Sequence, residues 1–260
     1  MTFRPERFDA LASERRLGLG YPVSFRAVTG STNDDALAAA RSGAPHGALF
    51  VAGAQSAGRG RRGNRWLGAA GQGIAFTVLL RPSVEVSRAS GLALVGGLAV
   101  RAAAEAWLRA AGRSEAVLVK WPNDVLIGDR KLCGILAESQ VRGTEILAVA
   151  LGIGLNMGME GLPPEIVQTA TALSAYGCES EPEIRIVDIL AALEPRIVQF
   201  AAGGESTVTE LRRHDALLGR RVRIGLEEGI AAGINRSGSL LLQNEKGALK
   251  EVRSGHVELT

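Results

Sequence analysis

Residues 117–156 constrain the fold more than any other stretch of the chain, because they hold four strand-like segments joined by turns with no room for a helix. The segments 117–121, 124–127, 131–139 and 145–156 are rich in Val, Ile and Leu, and Gly128-Asp129 between the middle pair is a turn of the hairpin type. Antiparallel pairing follows. Around this meander, helix and strand signals alternate, which gives an α+β domain. Ser31, Thr32 or Asn33 caps a short helix that Asp34 and Asp35 favour in its first turn and Gly43 ends. Residues 48–54 and 73–80 read as strands, and 87–111 is the longest helical pattern, with Gly112 just beyond it. Residues 186–202 and 206–215 look helical. After Gly219 the segments RRVRIGL, GIAAGIN, GSLLLQN and LKEVRSGHVEL alternate as short strands, a small β-barrel over about 216–260.

Composition limits the classes open to such a chain. At 260 residues and 46% hydrophobic it buries one large core, with at most a small appendage. The uncharged runs 91–100 and 146–159 fall short of the roughly 18 apolar residues of a membrane span, and the start MTFRPERFDALASERR has no apolar signal-peptide core. Cys133 and Cys178 lie far apart without a CxxC or Cys/His neighbour, which reads as a reduced, cytoplasmic protein with no metal site. A net charge of +3 does not argue for nucleic acid. Only four of the 30 basic residues are lysines, so a lysine here marks a place where arginine would not serve.

Three segments carry chemistry. Residues 57–73, AGRGRRGNRWLGAAGQG, combine six glycines with four arginines in a long loop. Its Gly58-Arg-Gly-Arg-Arg-Gly63 matches G-x-G-x-x-G literally, but no helix starts at Gly63 and a Walker lysine is missing. What remains is a cationic loop in which Arg59, Arg61, Arg62 and Arg65 suit phosphate or carboxylate and Trp66 suits stacking a base or closing a lid; a solvated Arg-rich loop is the alternative. Lys120-Trp-Pro-Asn-Asp124 opens the hairpin and Lys131-Leu-Cys-Gly-Ile-Leu136 returns it. Across the Gly128-Asp129 turn Leu126 faces Lys131, and Asp124 shares the face of Lys131 one diagonal step away, roughly 7–8 Å. A lysine there can follow an oxygen whose charge grows during acyl or phosphoryl chemistry, or it is a strand-edge lysine. In 147–157, LAVALGIGLNM, alternation puts Leu151, Ile153 and Leu155 on one face and Gly152, Gly154 and Asn156 on the other. With Gly134 that bare face is a floor for a flat ligand, or a place where sheet and backbone pack closely. His46, His214 and His256 have no ligand or triad partners in sequence and take no role, and no Gly-x-Ser-x-Gly is present.

In their order and spacing, Ser31-Thr-Asn33, Gln55-x-x-Gly-Arg-Gly-Arg-Arg-Gly63 with Trp66, Lys120-Trp-Pro-Asn-Asp124, Lys131-x-x-Gly-Ile-Leu-x-Glu138 and Gly152-Ile-Gly-x-Asn156 resemble the biotin protein ligases, in the form lacking the N-terminal DNA-binding domain. The resemblance runs from about Thr29 to the C-terminus, and Asp215-x-Leu-Leu-Gly-x-x-Val222 looks like the family's entry into an SH3-like domain. It implies a catalytic domain with a mixed central sheet of the class II synthetase-like kind over 26–215, after an N-terminal segment 1–25, and an SH3-like barrel over 216–260. It also implies a two-step reaction. Biotin and MgATP give biotinyl-5′-adenylate and pyrophosphate, and the biotinyl group then passes to a lysine of a biotin carboxyl carrier domain of a carboxylase.

Carried over residue by residue, the resemblance gives Ser31, Thr32, Asn33, Gln55, Gly58, Arg59, Gly60, Arg61, Lys131 and Gly134 to biotin. Arg61, Arg62, Trp66, Asn123, Lys131 and Asn156 go to ATP and the adenylate. Lys131 and Arg61 are the catalytic cations, and Asp124 accepts a proton from, or orients, the attacking lysine. Loop 58–73, with glycines at 58, 60, 63, 68, 71 and 73, orders on biotin. Biotin, ATP and Mg2+ are the small molecules, the carrier domain is the protein partner, a homodimer is compatible, and neither DNA nor membrane is expected. Only about 25 residues precede the catalytic region, too few for a winged helix-turn-helix. Where the family often ends in an acidic residue and a late arginine that reaches ATP, this chain reads Gly255-His-Val-Glu-Leu-Thr260, and Asn64 replaces a common arginine. Three rivals remain. A lipoate ligase on the same fold typically has a His-Asp pair where Arg65-Trp66 stands, a single-stranded nucleic-acid binder would use the arginines and Trp66, and an inactive biotin-binding relative would not need Lys131 and Arg61.

Overall fold

The computed structural model describes residues 2–66, 71–178 and 180–260. In chain order the main elements are α1 (Pro5–Glu14), β1 (Val23–Thr29), α2 (Thr32–Arg41), β2 (Leu49–Gln55), β3 (Gly73–Leu80), α3 (Leu92–Ala110), β4 (Val117–Lys120), β5 (Asp124–Ile127), β6 (Arg130–Arg142) and β7 (Glu145–Asn156). Then come α4 (Pro164–Thr169), α5 (Pro182–Ala201), α6 (Glu205–His214), β8 (Arg221–Ile224), β9 (Glu227–Ile234), β10 (Leu240–Gln243), β11 (Leu249–Val252) and β12 (Glu258–Leu259). Seven strands form one mixed sheet in the order β1-β2-β3-β7-β6-β5-β4, in which β1 and β2 are parallel and every other neighbour is antiparallel. The meander expected from 117–156 is β4 to β7. Its tight turn is Gly128-Asp129, with Ile127 opposite Arg130 and Gly128 at φ +58°.

Sequence periodicity and structure differ in several places, three of which bear on packing. β1 is an edge strand with only Thr29 buried, so no clear alternation marks it. α1, in the segment 1–25, buries Phe8 completely and is tied to α5 by the Arg4 backbone N–H, which donates to the Glu183 carboxylate. The pattern 87–111 divides into a 3-10 turn, Val86–Gly91, and α3, and at their junction a Cβ on Gly91 would lie 2.7 Å from the Phe200 ring. The stretch Val86–Ala110 is long and apolar enough to cross a membrane by composition, yet Leu92, Val95 and Ala99 in it are fully buried in the core.

The C-terminal strands form a five-stranded antiparallel sheet in the order β11-β10-β9-β8-β12. Its core is shared with the larger domain: Trp121, from the turn between β4 and β5, packs with Val119, Leu94 and Leu98 against Leu217, Val222 and Leu240. Trp121 is 1% exposed and its Nε1–H donates to the Gly238 carbonyl at 3.0 Å. That anchor fixes the turn whose next residues, Pro122, Asn123 and Asp124, enter the site.

Candidate active site

The ends of β2, β5, β6 and β7 surround a cavity of about 240 Å³ on one face of the large sheet. Of the residues assigned from the sequence, Ser31, Thr32, Asn33, Gln55, Arg59, Gly60, Arg61, Arg62, Trp66, Asn123, Asp124, Lys131 and Gly134 line it. Gly58 and Asn156 do not. The Gly58 carbonyl accepts the Trp66 N–H at 3.0 Å and so closes the base of the loop. Asn156 is buried and its Nδ2 donates to the carbonyls of Thr171 at 3.0 Å and Lys131 at 3.3 Å, which fastens the backbone behind Lys131 rather than facing the cavity. Asn123 lines the wall while its Nδ2 donates to the Ile135 carbonyl at 2.8 Å, pinning the turn onto β6. Gly68 lies outside the described residues.

Lys131 faces Leu126 and shares a face with Asp124 as expected, but the register between them is not the plain one. A bulge between Val125 and Leu126 sets Asp124 opposite Gly134, and the Lys131 Nζ lies 2.7 Å from the Asp124 Oδ1. Arg61, in the 3-10 turn Arg61–Gly63, is half-buried beside them; burial pulls its pKa down, and the Asp124 charge opposes that shift. Arg59 is committed elsewhere. Its guanidinium clasps Asp34 with bonds of 2.6 and 2.7 Å and Glu138 at 3.0 Å, which raises the Arg59 pKa and lowers that of Asp34.

The bare glycine face is real, and it is covered. A Cβ on Gly154 would fall 2.4 Å from the Trp66 indole and one on Gly134 3.0 Å from it, so the ring lies directly on the glycines. The Lys131 Nζ sits 5.7 Å from the centre of the same ring. A Cβ on Gly152 would meet the Asn33 Oδ1 at 2.3 Å; that gap admits the Asn33 side chain.

Six participants escaped the sequence assignment. Thr77 is fully buried on β3 and holds Thr32 and Asn33, and the lone hydroxyl in the apolar run GIAFTVLL was its signal. Glu138 links Asn33 to Arg59. Lys120 lines the cavity as a second lysine. Gly255, His256 and Val257, from the loop before β12, close the far wall, so the C-terminal domain does reach the site through residues to which no role was given.

Comparison with known proteins agrees with this geometry. Residues 26–156 match the model of the Biotin/lipoate A/B protein ligase family, and 217–260 match the Biotin protein ligase C terminal domain. The biotin--[acetyl-CoA-carboxylase] ligase of Mycobacterium tuberculosis is 39% identical over 224 residues, covering 83% of this chain and 81% of that one. A bifunctional ligase/repressor of Bacillus spizizenii is 34% identical over 260 residues, covering 95% of this chain and 78% of its own. Among solved structures, a biotin protein ligase from Aquifex aeolicus in complex with biotin and ATP superposes with a TM-score of 0.75 at 26% identity, covering 92% of this chain and 99% of that one.

Proposed function

The chain belongs to the biotin/lipoate A/B protein ligase family, and from that premise we propose that it joins biotin to ATP as biotinyl-5′-adenylate, with release of pyrophosphate, and passes the biotinyl group to a lysine of a biotin carboxyl carrier domain. The observation that carries this is the mixed chemistry of one cavity. Ser31, Thr32 and Gln55 give its lining neutral hydrogen-bonding groups, while Arg61, Arg62, Lys120 and Lys131 give it positive charge. A ureido ring matches the first and a carboxylate with a triphosphate matches the second. The dithiolane ring of lipoate would leave the neutral groups unpaired, and a site built to bond a polar group discriminates strongly against an analogue lacking it. Use of the loop as a nucleic-acid patch has less support, because Arg59 is already bound by Asp34 and Glu138 and Trp66 lies on the cavity floor.

In the first step a biotin carboxylate oxygen attacks the α-phosphorus and the bond to the leaving pyrophosphate breaks. Lys131 and Arg61 hold the carboxylate and α-phosphate and stabilise the charge that gathers between them, more effectively where water is displaced. Mg2+ would accompany the nucleotide and offset charge on its phosphates, beside Arg61, Arg62 and Lys131, which line the cavity where those phosphates would lie. In the second step the carrier lysine attacks the acyl carbon, AMP leaves, and Asp124, beside the Lys131 Nζ, orients the amine and takes its proton.

The test is pyrophosphate release from ATP by the purified chain with biotin or lipoate. Biotin-dependent release is expected, reduced at least about 100-fold in Lys131→Ala. Release with lipoate alone moves the activity to the sister reaction, and release with neither overturns it.

A further inference from the structure

We propose that Thr77 is a positioning residue that sets which hydrogen-bonding groups the cavity turns toward the biotin ring; the proposal rests on the biotin reading above and goes beyond it. Thr77 lies on β3 between Phe76 and Val78, all three fully buried, where a valine of the same shape would fill the space without burying a hydroxyl. Its partner across the sheet is Gly152, whose missing side chain makes room for Asn33.

The order of donors and acceptors follows from what each group can do. The Asn33 Nδ2 donates to the Glu138 carboxylate at 2.7 Å and the Leu136 carbonyl at 3.3 Å, both acceptors only, so the Asn33 Oδ1 must point the other way. That oxygen lies 2.7 Å from the Thr77 Oγ1 and cannot donate, so Thr77 donates to it. The Thr32 Oγ1 stands 2.8 Å from the Thr77 Oγ1, which is the donor on this side too, and gives its own proton to the Gln55 Oε1 at 3.1 Å. The Thr32 proton is thereby committed to the wall and a lone pair is left for the ligand. The Gln55 Oε1 also accepts the Thr32 backbone N–H at 2.8 Å, which leaves the Gln55 Nε2 free to donate. The wall thus offers one acceptor and one donor, the complement of a ring that carries N–H beside C=O. Without the Thr77 hydroxyl, the Asn33 Oδ1 loses its donor in a dry place, and both the amide and the Thr32 hydroxyl are released to turn.

The experiment compares parent, Thr77→Val and Thr77→Ser by calorimetric titration with biotin and by pyrophosphate release at varied biotin and then varied ATP. Thr77→Val is expected to raise the Kd and KM for biotin roughly tenfold or more, as loss of a buried hydrogen-bond partner does. The kcat and the KM for ATP should stay within about twofold, the mark of lost ground-state binding, and Thr77→Ser should restore biotin binding to within about threefold. Should Thr77→Val not fold, Thr77→Ala against Thr77→Ser carries the same comparison, since both are smaller than threonine and differ in the hydroxyl. Biotin binding unchanged without the hydroxyl, a loss shared equally by ATP, or no rescue by serine overturns the proposal while the ligase reading stands. A parent that binds no biotin overturns both.

Discussion

Trp66 resting on Gly134 and Gly154 shows how one missing Cβ after another shapes a site. The indole is within van der Waals reach of the sheet backbone, a distance that only glycine allows. Gly154→Ala puts a methyl 2.4 Å from the ring, so Trp66 must rise off the floor and any flat ligand with it. The expected result is a fold less stable by about 1–3 kcal/mol in denaturant titration, the cost of an overpacked contact; an unchanged midpoint would show that the ring does not rest on the glycines. Period-two alternation made that face legible in the sequence, and the hairpin register likewise put Lys131 and Asp124 on one side. Nothing local revealed that a tryptophan nearly 70 residues before Gly134 covers it, or that Asn156, on the same face, spends its amide on two backbone carbonyls. Those are tertiary satisfactions of buried polar groups, and periodicity does not encode them.

The elements best read in advance are those with a strong period and a firm stop, such as β5, β7 and α2. β1 was hidden because an edge strand with one buried residue has no apolar alternation to display. α5 keeps Pro195 inside a helix, a residue that argues locally against one, because the buried face of Ile186, Leu190, Leu193 and Ile197 holds it in place. The link from α6 into the C-terminal sheet carries a strain of another sort. The Asp215 Oδ1 accepts the Leu217 N–H at 2.9 Å, its other oxygen is buried without a hydrogen-bond partner among the described residues, and burial pushes its pKa up to about 6. The folded protein therefore holds this proton more tightly than the unfolded chain does, and stability falls as pH rises from about 4 through about 6. Asp215→Asn keeps the acceptor and removes the charge. Its thermal midpoint should exceed that of the parent by a margin that grows between pH 5 and pH 7, and parallel midpoints over that range would refute it.

At the scale of the molecule, the C-terminal sheet is not an appendage. Trp121, Val119, Leu94 and Leu98 have their apolar partners in it. A fragment ending at residue 215 would expose them as one patch, and such patches aggregate. We expect that fragment to give no cooperative thermal transition and no pyrophosphate release; a folded, active fragment would contradict the shared core. The same sheet sends Gly255, His256 and Val257 into the wall of the cavity. Grafting the terminal barrel of a relative onto this catalytic domain would therefore transplant a piece of the binding site along with it. In such chimeras, ligand preference would be inherited from two parents at once.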